Sequence, residues 1–241
     1  MNRVVVLGDG LLASELIKQT GWDYLSRKKD GFDITNPISF KQLIEWGEEG
    51  AAGNKKYDIV INCIANTDTY SQDRKKHWDV NYAGVSNLVD FCNIWNIKLV
   101  HISSDYVYAN SVGVPSEEDV PVHQGTYYAY TKLLADGLIE LKAKNYLVIR
   151  TTHKPKPFPY NAAWANQIGC FDYVDKIANL ITVLVSKNAE GIYNVGTKSK
   201  SMLQLAQRTK PDVGINYISN TLIPLDTTMN INKLTTFLNE N

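Results

Sequence analysis

The sequence predicts an α/β protein built on a doubly wound parallel sheet, and three observations carry that expectation. The run Arg3 to Leu7 ("RVVVL") is apolar after its first residue, rich in β-branched side chains and stopped by Gly8, as a strand buried on both faces requires. Helical apolar spacing follows at once, from Leu11 to Gln19. Strand and helix signals then alternate as far as Thr152, the order of a Rossmann-type fold.

The elements follow in turn. "DYLS" reads as the second strand, and Pro37 opens a helix over "PISFKQLIEW". "YDIVINCIA" is a strand, "NYAGVSNLVDFCNIWN" a helix and "KLVHISS" another strand. The helix "YAYTKLLADGLIELKAK" and the strand "YLVIRTT" complete a core domain over residues 1–152. In "HKPKPFPYNAAW" three prolines fall within five residues, which forbids a continuing strand or helix and predicts a loop. Residues 153–241 are then a small C-terminal substrate-binding region. Within it, 170–197 return to the core as the helix "FDYVDKIANLITVLVSK" and the strand "GIYNVG". "SMLQLAQR" reads as a helix, the tail from Pro211 gives mixed signals, and "NINKLTTFLNEN" suits a last short helix.

Composition narrows the function. The 25 basic side chains balance 25 acidic ones, so nothing electrostatic points to nucleic acid or an anionic membrane, and a small molecule is the expected ligand. Cys63, Cys92 and Cys170 are odd in number and far apart, which indicates neither a disulfide framework nor a cysteine metal site. The spacing of the four histidines suggests no metal either. The apolar run before Gly8 is too short for a signal peptide or a membrane span, so the expected location is the cytoplasm.

Gly8-Asp9-Gly10-Leu11-Leu12-Ala13 matches G-x-G-x-x-G/A and lies between the first strand and the first helix, where dinucleotide binding needs it. Gly8 permits the tight turn, Gly10 leaves room for a pyrophosphate, and Ala13 allows close strand–helix packing. An ordinary strand–helix turn is the alternative. The second strand ends in Ser26-Arg27-Lys28-Lys29, with no carboxylate before Asp30, which favours a 2′-phosphate and hence NADP. A solvated basic turn is the rival explanation, and NAD the alternative cofactor.

Tyr128 and Lys132 stand four residues apart on one helical face, close enough for an ammonium to lower a phenol pKa. The pair is a common pattern, and Tyr24 with Lys28 is another. Position separates the two: the fourth strand ends at Ser103-Ser104-Asp105, at the carboxyl edge where parallel sheets bind ligands, some twenty residues before Tyr128.

Taken in order, "GDGLLA", "ISSDYVY" and the Tyr128–Lys132 stretch resemble the extended short-chain dehydrogenase/reductases. Within them the chain looks most like the reductases of nucleotide-linked 4-keto-6-deoxy sugars, through "FDITNP", "DIVINCIANT", "SEEDVPV", "VIRTT" and "GIYNVG". The resemblance implies an NADPH-dependent oxidoreductase in which Ser104 hydrogen-bonds the substrate carbonyl and Tyr128 is the general acid. Lys132 would bind the nicotinamide ribose and depress the Tyr128 pKa. It also assigns Asp33, Ile34, Cys63, Ile64, Ala65 and Asn81 to the cofactor crevice, with Asn62 and Asn66 beside them. A nucleotide sugar is the implied partner, and a homodimer is expected. His153 stands where these reductases carry a sugar-contacting tryptophan, and the substrate region is short. Epimerisation or dehydration of a nucleotide sugar, or a non-catalytic NADP-binding regulatory subunit, are therefore the alternatives.

Overall fold

The computed structural model describes residues 2–45, 53–219 and 221–240. Six parallel strands form the central sheet: β1 (Val4–Leu7), β2 (Asp23–Leu25), β3 (Ile59–Asn62), β4 (Lys98–Ile102), β5 (Tyr146–Thr151) and β6 (Gly191–Val195), in the order β6-β5-β4-β3-β1-β2. The order reverses between β1 and β3. That switch point opens a crevice at the carboxyl ends of these two strands.

Alternation along β1 explains why both faces of the sheet are covered. Val4 and Val6 face one layer and pack with α1 (Leu11–Thr20), α4 (Val174–Ser186) and the last helix. Val5 and Leu7 face the other, with α2 (Gly84–Trp95) and α3 (Tyr127–Lys142). A strand sandwiched in this way has no polar face to signal it, which is why it reads as an unbroken apolar run.

After β5 come α5 (Met202–Gln207), opened by a Ser201/Gln204 capping box, and α6 (Asn232–Glu240). Phe158, Phe171, Tyr173, Met202, Leu205 and Val213 give this region a small core of its own.

Three expectations need correction. The segment opened by Pro37 is a 3-10 helix over Pro37–Leu43, capped by the Asn36 side chain, and Ile44–Glu45 leaves it as a strand paired with Asn54–Lys55. Ile44 is extended and buried, and this pairing satisfies its backbone better than another helical turn; Trp46 lies outside the described residues. The helix ending at Trp95 begins earlier than expected, at Arg74 behind the Asp73 cap, and passes through a π-helical turn at Asp79–Ala83. The proline-rich segment is not loop throughout. His153–Lys154 pairs with Asp172–Tyr173, and Ala162–Trp164 with Gly214–Asn216, so the prolines confine irregular backbone to the stretch between them.

Candidate active site

The crevice at the switch point is one end of a cavity of about 890 Å³ that runs from the glycine-rich turn to the start of α3. Gly8, Asp9, Gly10, Leu11, Leu12 and Ala13 form one wall. Gly8 has φ +108°, a conformation that L side chains rarely adopt, and an added Cβ would lie 3.3 Å from Ile64 Cγ1. At Gly10 an added Cβ would meet nothing within 4 Å, so the backbone is bare to the cavity. Gly10 also opens α1 without a side-chain cap, leaving the first amide hydrogens of the helix free of a side-chain acceptor. Bare backbone, free N–H groups and the positive end of a helix dipole suit a pyrophosphate.

Arg27 and Asp33 border this end. Their side chains pair at 3.0 Å, with Arg27 83% exposed and able to turn to another anion. Burial works to raise the Asp33 pKa, but hydrogen bonds from Thr35 and the charge of Arg27 bring it below the usual carboxylate range. Ile34, Cys63, Ile64, Ala65 and Asn66 also line the cavity. Ser26 does not: it is fully buried and caps the one-turn helix Arg27–Asp30 through Lys29 N–H. Asn81, on the π-helical turn, sits behind the wall, where its side chain accepts from Asn66 N–H at 2.7 Å and donates to Thr131 Oγ1 at 3.2 Å. Asn62 is buried and turned toward His101. Tyr24, the other half of the stray Tyr/Lys pair, lies under the Lys29 ammonium, away from the cavity.

At the far end the cavity meets Ser104, Tyr128 and Lys132. Ser104 leaves β4 in extended conformation, accepts from Tyr106 N–H and donates to Asp105 Oδ1 at 3.3 Å. Thr126 caps α3 by accepting from Ala129 N–H, and this fixes where Tyr128 enters the cavity. Burial pushes the Tyr128 phenol up to about 12, opposed by the Ser104 hydroxyl and reinforced by Asp105 and Asp136. Burial also brings the Lys132 ammonium down to about 8, against the pull of Asp136 and Cys63. The expected depression of the Tyr128 pKa by Lys132 is not met. Lys132 Nζ is turned to His101 Nε2 at 3.0 Å and to the Ile102 carbonyl at 2.6 Å, and its hydrogen bonds are made there and not to the phenol.

Around Tyr128 stand several groups to which sequence reasoning gave no chemical role. Tyr106 stands edge-on to Tyr128 with ring centres 6.3 Å apart, and its hydroxyl pairs with Tyr70 at 3.1 Å. Asp105 is buried and accepts from Thr152, with burial raising its pKa. His153 and Lys154 complete the wall. Burial first, then the Lys154 charge, brings the His153 imidazole down to about 4, which leaves it neutral. Burial also lowers the Lys154 pKa against the attraction of Asp105. The adjacency of Asp105 to Ser104 was a usable signal for that carboxyl group; nothing in the proline-rich stretch signalled Lys154. Among the described residues, no cluster of His, Cys, Asp or Glu is arranged to hold a metal.

A doubly wound sheet with a glycine-rich first turn, and with Ser104, Tyr128 and Lys132 at its carboxyl edge, defines a protein of the extended short-chain dehydrogenase/reductase type. The RmlD substrate binding domain family matches residues 1–153, and the chain belongs to that family. A dTDP-4-dehydrorhamnose reductase of Mycobacterium tuberculosis (strain CDC 1551 / Oshkosh) is 30% identical over 163 residues, 62% of this chain and 49% of that protein. The spore coat polysaccharide biosynthesis protein SpsK of Bacillus subtilis (strain 168) is 30% identical over 158 residues, 63% of this chain and 53% of that protein. The chain thus spans about half the length of the curated relatives it matches. In fold it is similar to the crystal structure of dTDP-4-dehydrorhamnose reductase from Bacillus anthracis str. Ames in complex with NADP. The TM-score is 0.80 with 21% identity, over 98% of this chain and 92% of that one. No helix among the described residues is long and apolar enough to cross a membrane.

Proposed function

We propose that the chain is an NADP-dependent reductase of a nucleotide-linked 4-keto-6-deoxy sugar. The observation that carries this reading is that one cavity joins the bare glycine turn to Ser104, Tyr128 and Lys132. The family and the names of its relatives support it.

Gly8 to Leu12 would hold the pyrophosphate, Arg27 the adenosine end, Cys63 to Ala65 the middle of the crevice, and Lys132 the nicotinamide ribose. When bound, the cofactor supplies a hydride. The chain's own residues do the rest. Ser104 orients the substrate carbonyl, and Tyr128 gives its proton to the oxygen as negative charge grows there. The raised phenol pKa suits this direction, because an acid at about 12 is fully protonated at neutral pH. Residues after 152 contribute His153, Lys154 and Tyr160 to the substrate end of the cavity, in keeping with a division of the chain near that point.

The test is NADPH consumption by the purified protein with dTDP-4-keto-6-deoxy sugar, with cofactor fluorescence reporting binding in the same sample. Turnover supports the reading; NADPH binding without consumption would point to another keto sugar or to the regulatory alternative. Cofactor preference gives a second test. Arg27→Ala removes the exposed cation at the adenosine end and is expected to weaken NADPH by about tenfold, the scale of one charge-assisted contact, with little effect on NADH. Equal losses in a fluorescence titration would make Arg27 part of a solvated turn only.

A further inference from the structure

Lys132 is one member of a buried chain of hydrogen bonds. Its Nζ lies 3.0 Å from His101 Nε2, and the other imidazole nitrogen, Nδ1, lies 3.2 Å from Asn62 Nδ2. Lys132 is 1% exposed, and His101 and Asn62 are fully buried.

The Asn62 amide has one orientation open to it. Its Oδ1 accepts the backbone N–H of Ile64 at 3.0 Å, so the NH2 end faces His101. An NH2 group only donates, so Nδ1 must accept, and an imidazole with an accepting Nδ1 carries its single hydrogen on Nε2. That hydrogen points at Lys132. An ammonium has three donors and no acceptor, so it has nothing to receive it with; an uncharged amine has a lone pair for Nε2–H and a hydrogen left for the Ile102 carbonyl.

We infer that Asn62 holds His101 as the Nε2–H tautomer and that His101 donates to an uncharged Lys132 amine, making Asn62 and His101 positioning residues that set the proton state of this lysine. The inference rests on the reading of Lys132 as part of the reductase site for its importance, though not for its hydrogen-bond arithmetic.

The other groups facing Lys132 permit this. From the end of β3 comes the Cys63 thiol, which burial pushes up to about 12 and so leaves neutral. On Lys132's own helix stand the neutral Tyr128 phenol and Asp136. The Asp136 carboxylate is engaged by Arg150 of β5 at 3.0 Å. Complete burial is the larger cause holding the His101 pKa well below its ordinary value, and it acts whether or not Lys132 is charged, which rules out an imidazolium. Burial, opposed by Asp136 and Cys63, brings Lys132 to about 8, and a hydrogen bond made to the uncharged form carries the balance further in the same direction. Taking up a proton removes the lone pair that Nε2–H needs. Charging Lys132 and losing the hydrogen bond from His101 are therefore one event, while the bond to the Ile102 carbonyl can remain.

Long-range proton–nitrogen correlation spectra of the ligand-free protein at neutral pH test this directly, because the chain has only four histidines and the His101 signals are those missing in His101→Gln. The expected pattern is a pyridine-type Nδ1 and a pyrrole-type Nε2; an Nδ1–H tautomer or an imidazolium would overturn the inference. Asn62→Asp supplies a second reading. The carboxylate keeps the acceptor for Ile64 N–H but takes a hydrogen from Nδ1, so the tautomer should switch. Lys132, followed through its Cε carbon shift, should then titrate at least about one pH unit higher. An unchanged tautomer and titration in that variant would equally sink the idea. Neither spectrum depends on turnover, so failure of the reductase reading and failure of this one are separate results.

Discussion

Tyr128→Phe is expected to lower turnover by about two to four orders of magnitude while leaving NADPH affinity within about a factor of two. The phenol ring packs against Tyr106 and His77, and phenylalanine keeps those edge contacts. Only the hydroxyl is lost, and with it the proton that the growing alkoxide takes. Steady-state kinetics and fluorescence titration on the same preparation separate the two effects. Unchanged turnover would remove Tyr128 from the mechanism, whereas a parallel loss of cofactor affinity would mean that the hydroxyl serves to hold the cofactor.

The second large effect concerns the scaffold behind the site. Arg150 Nε donates to Asp136 Oδ2 at 3.0 Å, and the two side chains are 3% and 1% exposed. Arg150 also donates to the Tyr108 hydroxyl, whose ring lies against the guanidinium. Asp136→Leu leaves that guanidinium buried beside no carboxylate, and is expected to cost about 3–5 kcal/mol. Urea unfolding should show the midpoint falling with its slope unchanged, and thermal unfolding a drop of roughly 10 °C. The double variant Asp136→Leu/Arg150→Met should recover most of the loss, since a buried ion pair contributes little net stability over apolar side chains of similar volume. A single variant as stable as the parent would show that Arg150 finds solvent or another acceptor on its own.

Much of the fold was legible because its signals are local. β1, β4, β5 and β6 are short apolar runs between breakers, and α1, α3 and α4 carry apolar side chains at helical spacing. The departures lie where a neighbour distant in sequence decides the backbone. Ile44 is extended because Lys55 is there to pair with it, and His153–Lys154 is a strand because Asp172–Tyr173 passes alongside. The π-helical turn at Asp79–Ala83 carries Asn81, whose side chain is satisfied by Asn66 and Thr131 from two other elements. No window of sequence around any of these contains its partner.

The candidate site divides along the same line. Its inventory could be read directly: a glycine turn works through backbone freedom at Gly8 and Gly10, a basic turn through Arg27, and a Tyr/Lys pair through a spacing of one helical turn, all of them local properties of the chain. The state of each group could not. The phenol lies at about 12 and the Lys132 ammonium at about 8 because burial penalises whichever form is charged, and burial belongs to the assembled sheet and helices. Which atom Lys132 turns toward was likewise settled only when β3, β4 and α3 came together and brought Asn62 and His101 beside it. Sequence determined which chemical groups this protein brings to its cavity; the tertiary structure, by removing water and choosing their neighbours, decided which of them carry a proton.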